Sequence, residues 1–107
     1  MVEKFFTPKE ANQILTNVKK IVEEILSKAH EAGGEGRIKA LMAQLEDMGC
    51  YYKDWNFEIG LVDFPAIIHG QQALLCWRSD EPEVAWFHGY EDGYAGRRPV
   101  TRELIFS

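Results

Sequence analysis

Cysteine and histidine are scarce in this sequence. It contains two cysteines, Cys50 and Cys76, and three histidines, and these residues lack the short spacings of zinc-binding motifs. We therefore predict no metal site and no cofactor. Two isolated cysteines do not form a disulfide framework, so we expect free thiols and a cytoplasmic location, where thiols stay reduced.

Basic residues and long apolar runs are also few. The sequence has 12 Lys and Arg against 17 Asp and Glu, and residues 49–107 carry 5 basic and 9 acidic side chains. Binding along a nucleic-acid backbone requires a basic surface, so we expect no nucleic-acid partner. No apolar run approaches the roughly 20 residues that span a membrane, and the first ten residues do not resemble a secretory leader. We therefore expect no membrane partner.

Residues 1–48 show the pattern of two amphipathic helices. Thr7 followed by Pro-Lys-Glu predicts a helix start in which Thr7 is the N-cap and Glu10 completes a capping box. Apolar residues then recur three and four positions apart as far as the glycine-rich segment "GGEG". A second helix is expected from about Arg37 to Met48. The short connection predicts an antiparallel helical hairpin.

Residues 49–107 change to a β-like pattern. Strands are predicted in the segments "LVDFPAII", "QALLCWR" and "EVAWFH", joined by a tight turn at His69-Gly70 and the four-residue loop "SDEP". They would form an antiparallel meander of three or four strands, followed by a C-terminal loop and tail. We predict one α+β domain over residues 1–107, with the helical hairpin packed on the sheet.

The lengths of the two turns predict the register of the strands. The resulting cross-strand pairs include Asp63 with Cys76, Leu75 with Trp86, and Ala73 with His88. Trp77 and Trp86 would then lie in the core below the helices, whereas Phe87 would face the other way. A slip of one residue in either turn would exchange the two faces of the strand that follows.

The sheet face away from the helices is predicted to be largely apolar, with Pro65 and Ile67 beside Asp63. Such a surface is too apolar to be left in water, so we expect the C-terminal segment "PVTRELIF", a second copy of the chain, or both, to cover it. A second copy would make the protein a homodimer. Pro65 lacks an amide proton and therefore requires an edge position for its part of the strand.

Several short motifs resemble one known family. They are "GLVDFPA" (60–66), "LLCW" (74–77), "EPEVA" (81–85), the Phe87-His88 pair and "GYAGR" (93–97). In this order they resemble the prokaryotic domain-of-unknown-function family 2203. The resemblance implies the same architecture and a prokaryotic cytosolic protein, and it implies no activity.

Asp63 is an informative residue because a carboxylate inside an apolar strand is costly unless it is paired. It could act as a general base or ligand acceptor, or it could be a structural acceptor for the backbone or for Arg78. Cys76 faces Asp63 in the predicted register. A neighbouring carboxylate disfavours the thiolate, so we interpret Cys76 as a buried thiol and not as a nucleophile.

His88 lies at the end of the last predicted strand, before a loop that contains Glu91. A histidine with a nearby carboxylate, either Asp63 or Glu91, could form an acid–base pair, or the contact could be structural. The catalytic candidates are therefore His88, Asp63 and Glu91.

The loop "GYAGRR" (93–98) could bind an anion. Glycines such as Gly96 can expose backbone amides in an anion-binding nest, and Arg97 and Arg98 could add guanidinium groups. Tyr94, between Gly93 and Gly96, is a further ligand-binding candidate. Alternatively, one arginine closes the fold by binding Asp63, Glu81 or Asp92. These alternatives remain open at the level of sequence.

Three functional hypotheses follow. The first is a small binding domain, a homodimer with a site for a small anionic ligand near Asp63, His88 and Arg97. The second is a small enzyme that uses His88 with Asp63 or Glu91. The third is a homo-oligomeric interaction module without a ligand.

Overall fold

The computed structural model describes residues 4–101 and contains two helices followed by one antiparallel sheet. The helices are α1 (Pro8–Ala29) and α2 (Glu35–Met48). The strands are β1 (Tyr51–Tyr52), β2 (Leu61–Ile68), β3 (Gln71–Arg78), β4 (Trp86–His88) and β5 (Arg98–Pro99), which lie side by side in chain order. A single 3-10 turn, Tyr94–Gly96, precedes β5. The predicted α+β class is confirmed, with five strands where three or four were expected.

The helix ends follow the predicted signals. The Thr7 hydroxyl accepts the Glu10 amide at 3.1 Å, and the Glu10 carboxylate accepts the Thr7 amide at 3.0 Å, which completes the capping box. Helix α2 ends at Gly49, whose φ of 95° is the left-handed conformation that glycine adopts at little cost. Neither helix combines the length and apolar character needed to cross a membrane.

One hydrophobic core lies between the helices and one face of the sheet. It contains apolar side chains from α1 and α2, among them Val18, Ile25, Leu41 and Leu45. The sheet contributes alternate residues of β2 and β3, namely Val62, Phe64, Ala66, Leu75 and Trp77. This alternation leaves the intervening residues of each strand on the opposite face, which we call the outer face of the sheet.

The predicted register of β2 with β3 is confirmed. Asp63 lies opposite Cys76, and the pairing continues to Ile68 and Gln71. The turn residues His69 and Gly70 both have positive φ, 53° and 77°, as a two-residue hairpin turn requires.

The predicted register of β3 with β4 is wrong by one residue. Leu75 lies opposite Phe87 instead of Trp86, and His88 lies opposite Leu74 instead of Ala73. The cause is a longer connection, residues 79–85, which is bound to α1. The Asn12 side chain accepts the Val84 amide at 2.7 Å and donates to the Val84 carbonyl at 3.1 Å, so these groups do not extend the ladder with β3.

The shifted register exchanges the faces of β4. Phe87 packs in the core, whereas Trp86 is half-buried on the outer face, so the core position predicted for Trp86 is wrong. Trp77 lies in the core as predicted. His88 moves to the outer face, beside Asp63 and Cys76.

The outer face around Pro65 is partly covered. Pro65 itself is buried, and its carbonyl accepts the Phe6 amide at 2.7 Å. Strand β1 pairs with β2 only at Val62 and Asp63, so no strand residue of β1 lies opposite Pro65, whose missing amide therefore interrupts no strand pairing on that side. Tyr51 and Ile67 remain exposed. The expected covering segment "PVTRELIF" lies largely outside the described residues.

Candidate functional site

Three chemically active side chains meet on the outer face of the sheet. Asp63 comes from β2, Cys76 from β3 and His88 from β4. One carboxylate oxygen, the Sγ atom and one ring nitrogen lie within 4.8 Å of one another, and all three side chains are buried. We call this group the Asp–Cys–His cluster. Because it stands on three neighbouring strands, it is held by a rigid part of the fold.

The orientation of His88 follows from its two ring nitrogens. Nδ1 lies 2.8 Å from the Gly89 carbonyl oxygen, and because a carbonyl only accepts, Nδ1 carries the proton. In the neutral ring, Nε2 is then an acceptor, and it faces Asp63 Oδ1 at 3.4 Å. This distance exceeds the 2.7–3.2 Å of an ordinary N–H···O hydrogen bond. With His88 neutral and Asp63 ionised, two acceptors would face each other in a buried place.

Burial dominates the electrostatics of the cluster. It raises the pKa of Asp63, although His88 and Lys53 pull in the opposite direction. Burial and the nearby Asp63 raise the pKa of the Cys76 thiol to about 12. Cys76 is therefore a protonated thiol at neutral pH unless another cation replaces the proton, as its interpretation as a buried, non-nucleophilic thiol requires.

A cavity of about 320 Å³ opens onto the cluster from the solvent side. Its other lining residues are Lys53, Leu61, Leu74, Tyr90, Gly93 and Tyr94. The walls combine aliphatic side chains, two tyrosines and one ammonium group. The cluster residues thus form part of the wall of a cavity that is large enough for a small molecule.

Arg97 lines a second cavity, of about 300 Å³, and binds an acid of the protein. Its guanidinium pairs with the Glu81 carboxylate, and it lies 4.8 Å from the ring centres of both Trp86 and Tyr94. The Arg97 side chain is only 9% exposed. Arg97 thus connects the loop after β3 to the loop before β5, which is one of the internal contacts considered from sequence.

The other predicted site residues are dispersed. Tyr94 lines the cavity, and its hydroxyl accepts a hydrogen bond from Arg78. Arg98 is exposed and packs over the Phe87 ring, on the opposite side of β5 from Arg97. Glu91 is exposed in the turn after β4 and does not line the described cavity. The structure therefore brings together Asp63, His88 and Tyr94, but not Glu91 or Arg98.

The backbone amides of the predicted anion nest are used inside the loop. The Gly96 amide donates to the Gly93 carbonyl at 3.1 Å, and the Arg97 amide donates to the Tyr94 carbonyl at 3.2 Å. Gly96 is also in tight contact with Asp92, because a Cβ at position 96 would lie 2.6 Å from the Asp92 Cβ. Gly96 thus has a packing role in this loop.

Sequence reasoning missed two members of the site. Cys76 lies opposite Asp63 in the predicted register, but the neighbouring carboxylate argues against a reactive thiol, and the predicted β4 register puts His88 on the other face. Lys53 lies in an irregular segment whose path the sequence did not predict. The sequence also allows β4 to be shifted by one residue from the predicted register, and that shift places His88 on the same face as Asp63.

Comparison with known protein families matches residues 27–100 to the uncharacterized conserved proteins designated DUF2203. The match covers more than half of the 107 residues. The chain belongs to this family. Neither the search of curated proteins nor the search of solved structures gave a match.

Membership of DUF2203 confirms the resemblance found in the sequence motifs. The matched segment of this DUF2203 chain includes α2, the whole sheet and all three residues of the Asp–Cys–His cluster. The family assignment names no reaction.

Proposed function

We propose that this domain binds a divalent transition metal ion, with Zn²⁺ preferred, through Asp63, Cys76 and His88. The observation that carries the proposal is the convergence of three ligand atoms within 4.8 Å in the wall of a cavity. A carboxylate oxygen, a thiolate sulfur and an imidazole nitrogen are all established zinc ligand types. The proposal departs from the sequence-based expectation of no metal and no cofactor.

The distance between Asp63 and His88 fits a shared metal better than a direct hydrogen bond. Oxygen and nitrogen atoms each about 2.0–2.2 Å from a tetrahedral zinc are roughly 3.4 Å apart. The separation of His88 Nε2 from Asp63 Oδ1 is 3.4 Å. A cation between these atoms would satisfy both lone pairs.

Charge balance supports a doubly charged cation. An ionised Asp63 and a Cys76 thiolate together carry two negative charges, which would be costly to bury without compensation. A divalent ion neutralises both of them. His88 adds a neutral ligand and no further charge.

The hydrogen bond from His88 to the backbone supports the same proposal. Histidines that bind metals usually donate their second ring N–H to a carbonyl or carboxylate, which fixes the ring and the free nitrogen. The Nδ1–Gly89 contact of 2.8 Å meets this requirement. His88 is therefore oriented with its free Nε2 directed toward Asp63.

Metal titration with matched variants tests the proposal. Competition with a chromophoric chelator should give one Zn²⁺ per chain. Cys76→Ser, His88→Ala and Asp63→Asn should each weaken binding at least about 100-fold, because loss of even an indirect partner of a metal ligand costs about 10–100-fold. Two exposed histidines, His30 and His69, supply controls as His30→Ala and His69→Asn.

The controls separate the cluster from adventitious binding. The His30 and His69 variants should bind Zn²⁺ as the unmodified protein does. Equal weakening by the control and cluster variants would contradict the proposal, as would the absence of stoichiometric binding. Circular dichroism of each variant establishes that it is folded.

An acid–base enzyme is the second candidate, and the Asp63–His88 contact at the cavity wall favours it. In that case a proton occupies the space between the two acceptors, and His88 Nε2 exchanges it with a substrate. The same titration distinguishes the two candidates. Folded protein that binds no metal would favour the acid–base pair.

Homodimer formation remains a prediction, and we propose the outer face of the sheet as the surface that pairs. Ile67 and Tyr51 lie on the outer face and are 50% and 38% exposed. We expect size-exclusion chromatography with light scattering to give a dimer mass, and Ile67→Lys to give a monomer because burying a lysine there is costly. A monomer for the unmodified protein would remove this proposal.

A further inference from the structure

We propose that the metal site takes a small organic carboxylate as an additional ligand, guided by Lys53. This inference rests on the proposed function, because the carboxylate would bind the metal held by the Asp–Cys–His cluster. It places the predicted anion binding at the cavity beside Lys53 instead of at Arg97 and Arg98.

The cluster supplies too few ligands to complete a metal site. Closed structural zinc sites have four protein ligands, whereas sites with three protein ligands leave a position for water or another ligand. Asp63, Cys76 and His88 all line the cavity, and no further Asp, Glu, Cys or His from residues 4–101 joins the cluster. A metal held by these three residues would keep a position for a further ligand, and the cavity is the space beside the cluster that such a ligand would occupy.

Lys53 makes the loaded site positive. Its ammonium group acts on Asp63 electrostatically, and it forms no ion pair with a carboxylate of the described residues. A divalent metal is neutralised by the Asp63 carboxylate and the Cys76 thiolate, so Lys53 leaves one positive charge at the cavity. A ligand with one negative charge would balance it.

The cavity walls favour a carboxylate that carries a compact apolar group. Leu61 and Leu74 line the cavity together with the rings of Tyr90 and Tyr94. The volume of about 320 Å³ is larger than a simple inorganic anion requires. Carboxylate oxygen is a zinc ligand, and its hydrocarbon part would contact the apolar walls.

Cobalt-substituted protein provides the test. Four-coordinate Co²⁺ with a thiolate ligand absorbs visible light, and its bands shift when a ligand enters the coordination sphere. Titration with benzoate and butyrate should give saturable shifts, with weaker binding of acetate and inorganic phosphate. Lys53→Met should raise the Kd for benzoate about tenfold while one Co²⁺ per chain still binds, because Lys53 contributes charge and no metal ligand.

Lys39→Met is the matched control, since Lys39 is an exposed lysine of α2. It should leave both Co²⁺ and benzoate binding unchanged. Bound Co²⁺ whose spectrum does not respond to any carboxylate would overturn this inference and leave the metal proposal standing. Tighter binding of phosphate than of benzoate, or an equal effect of the two lysine variants, would also overturn it. Failure to bind Co²⁺ or Zn²⁺ would instead overturn the metal proposal itself.

Discussion

The His88 ring lies between two oxygen atoms with different roles. Its Nδ1 is 2.8 Å from the Gly89 carbonyl oxygen, and its Nε2 is 3.4 Å from Asp63 Oδ1. The first contact fixes the tautomer, so the second brings two acceptors face to face. A cation must occupy that space if Asp63 is ionised, and either a proton or a metal ion would satisfy both atoms.

Metal affinity should therefore depend steeply on pH. The pKa of Cys76 is raised to about 12 and burial also raises that of Asp63, so the metal has to displace the thiol proton of Cys76. We expect the affinity for Zn²⁺ to increase as the pH rises from about 6 to 8, by about tenfold per pH unit for each proton released. Isothermal titration calorimetry in buffers of different ionisation enthalpy counts these protons.

The Cys76→Ser variant provides a check on this pH dependence. Serine has no thiol proton to release, so its weaker binding should show a slope smaller by about one proton. An affinity that does not change with pH would contradict the participation of Cys76.

Arg97 should contribute to stability far more than Arg98. Its replacement by methionine breaks a partly buried ion pair with Glu81 and removes contacts with two aromatic rings, so we expect a loss of about 2–4 kcal/mol in the free energy of unfolding. Arg98 is exposed, and Arg98→Met should change stability by less than about 0.5 kcal/mol. Urea denaturation measures both values. Similar effects of the two substitutions would show that Arg97 does not close the fold.

Asn12 of α1, on the helix side of the sheet, should stabilise the register of β4. Asn12→Ala leaves the Val84 amide and carbonyl without their side-chain partner, and we expect a loss of about 2–3 kcal/mol. Asn17→Ala, at an exposed position of the same helix, should be neutral or slightly stabilising. Thermal unfolding measured by circular dichroism compares the two variants, and equal stabilities would refute the role of Asn12.

Both cysteines should react slowly with thiol reagents in the native protein. Burial raises the pKa of Cys50 to about 12, and burial together with Asp63 raises the pKa of Cys76 to about 12. At pH 8 only about one thiol in 10⁴ would be ionised, and the thiolate is the reactive form. Reaction with a chromogenic disulfide should therefore be slow until urea unfolds the chain.

Zinc provides a control that distinguishes the two thiols. In a Cys50→Ala variant, Zn²⁺ should slow the reaction of Cys76 further, because the metal holds its sulfur. In a Cys76→Ser variant, Zn²⁺ should leave the reaction of Cys50 unchanged, since Cys50 lies in the core and donates to the Leu45 carbonyl at 3.4 Å. Protection of both thiols would mean that the metal binds elsewhere.

Local signals in the sequence predicted much of the fold. The capping box at Thr7, the end of α2 at Gly49 and the two-residue turn at His69-Gly70 each depend on residues close together in the chain. The turn alone fixes the register of β2 with β3, and with it the Asp63–Cys76 pair.

Contacts between distant residues account for the errors. The register of β4 depends on Asn12, which is 72 positions from Val84, and no local pattern reports that contact. The sequence offers three acidic residues as ion-pair partners of Arg97, and only the folded loop shows that Glu81 is the partner. Lys53 reaches the cavity from a segment without regular periodicity.

The length of the connection between Ser79 and Ala85 determines whether the three side chains of the cluster meet. Side chains alternate between the faces of a strand, so a change of one residue in the alignment of β4 would turn His88 away from Asp63 and return Trp86 to the helix side. The three side chains could all be present and still never meet. In this domain an insertion or deletion far from any ligand atom could abolish or create the site without altering a single one of its residues.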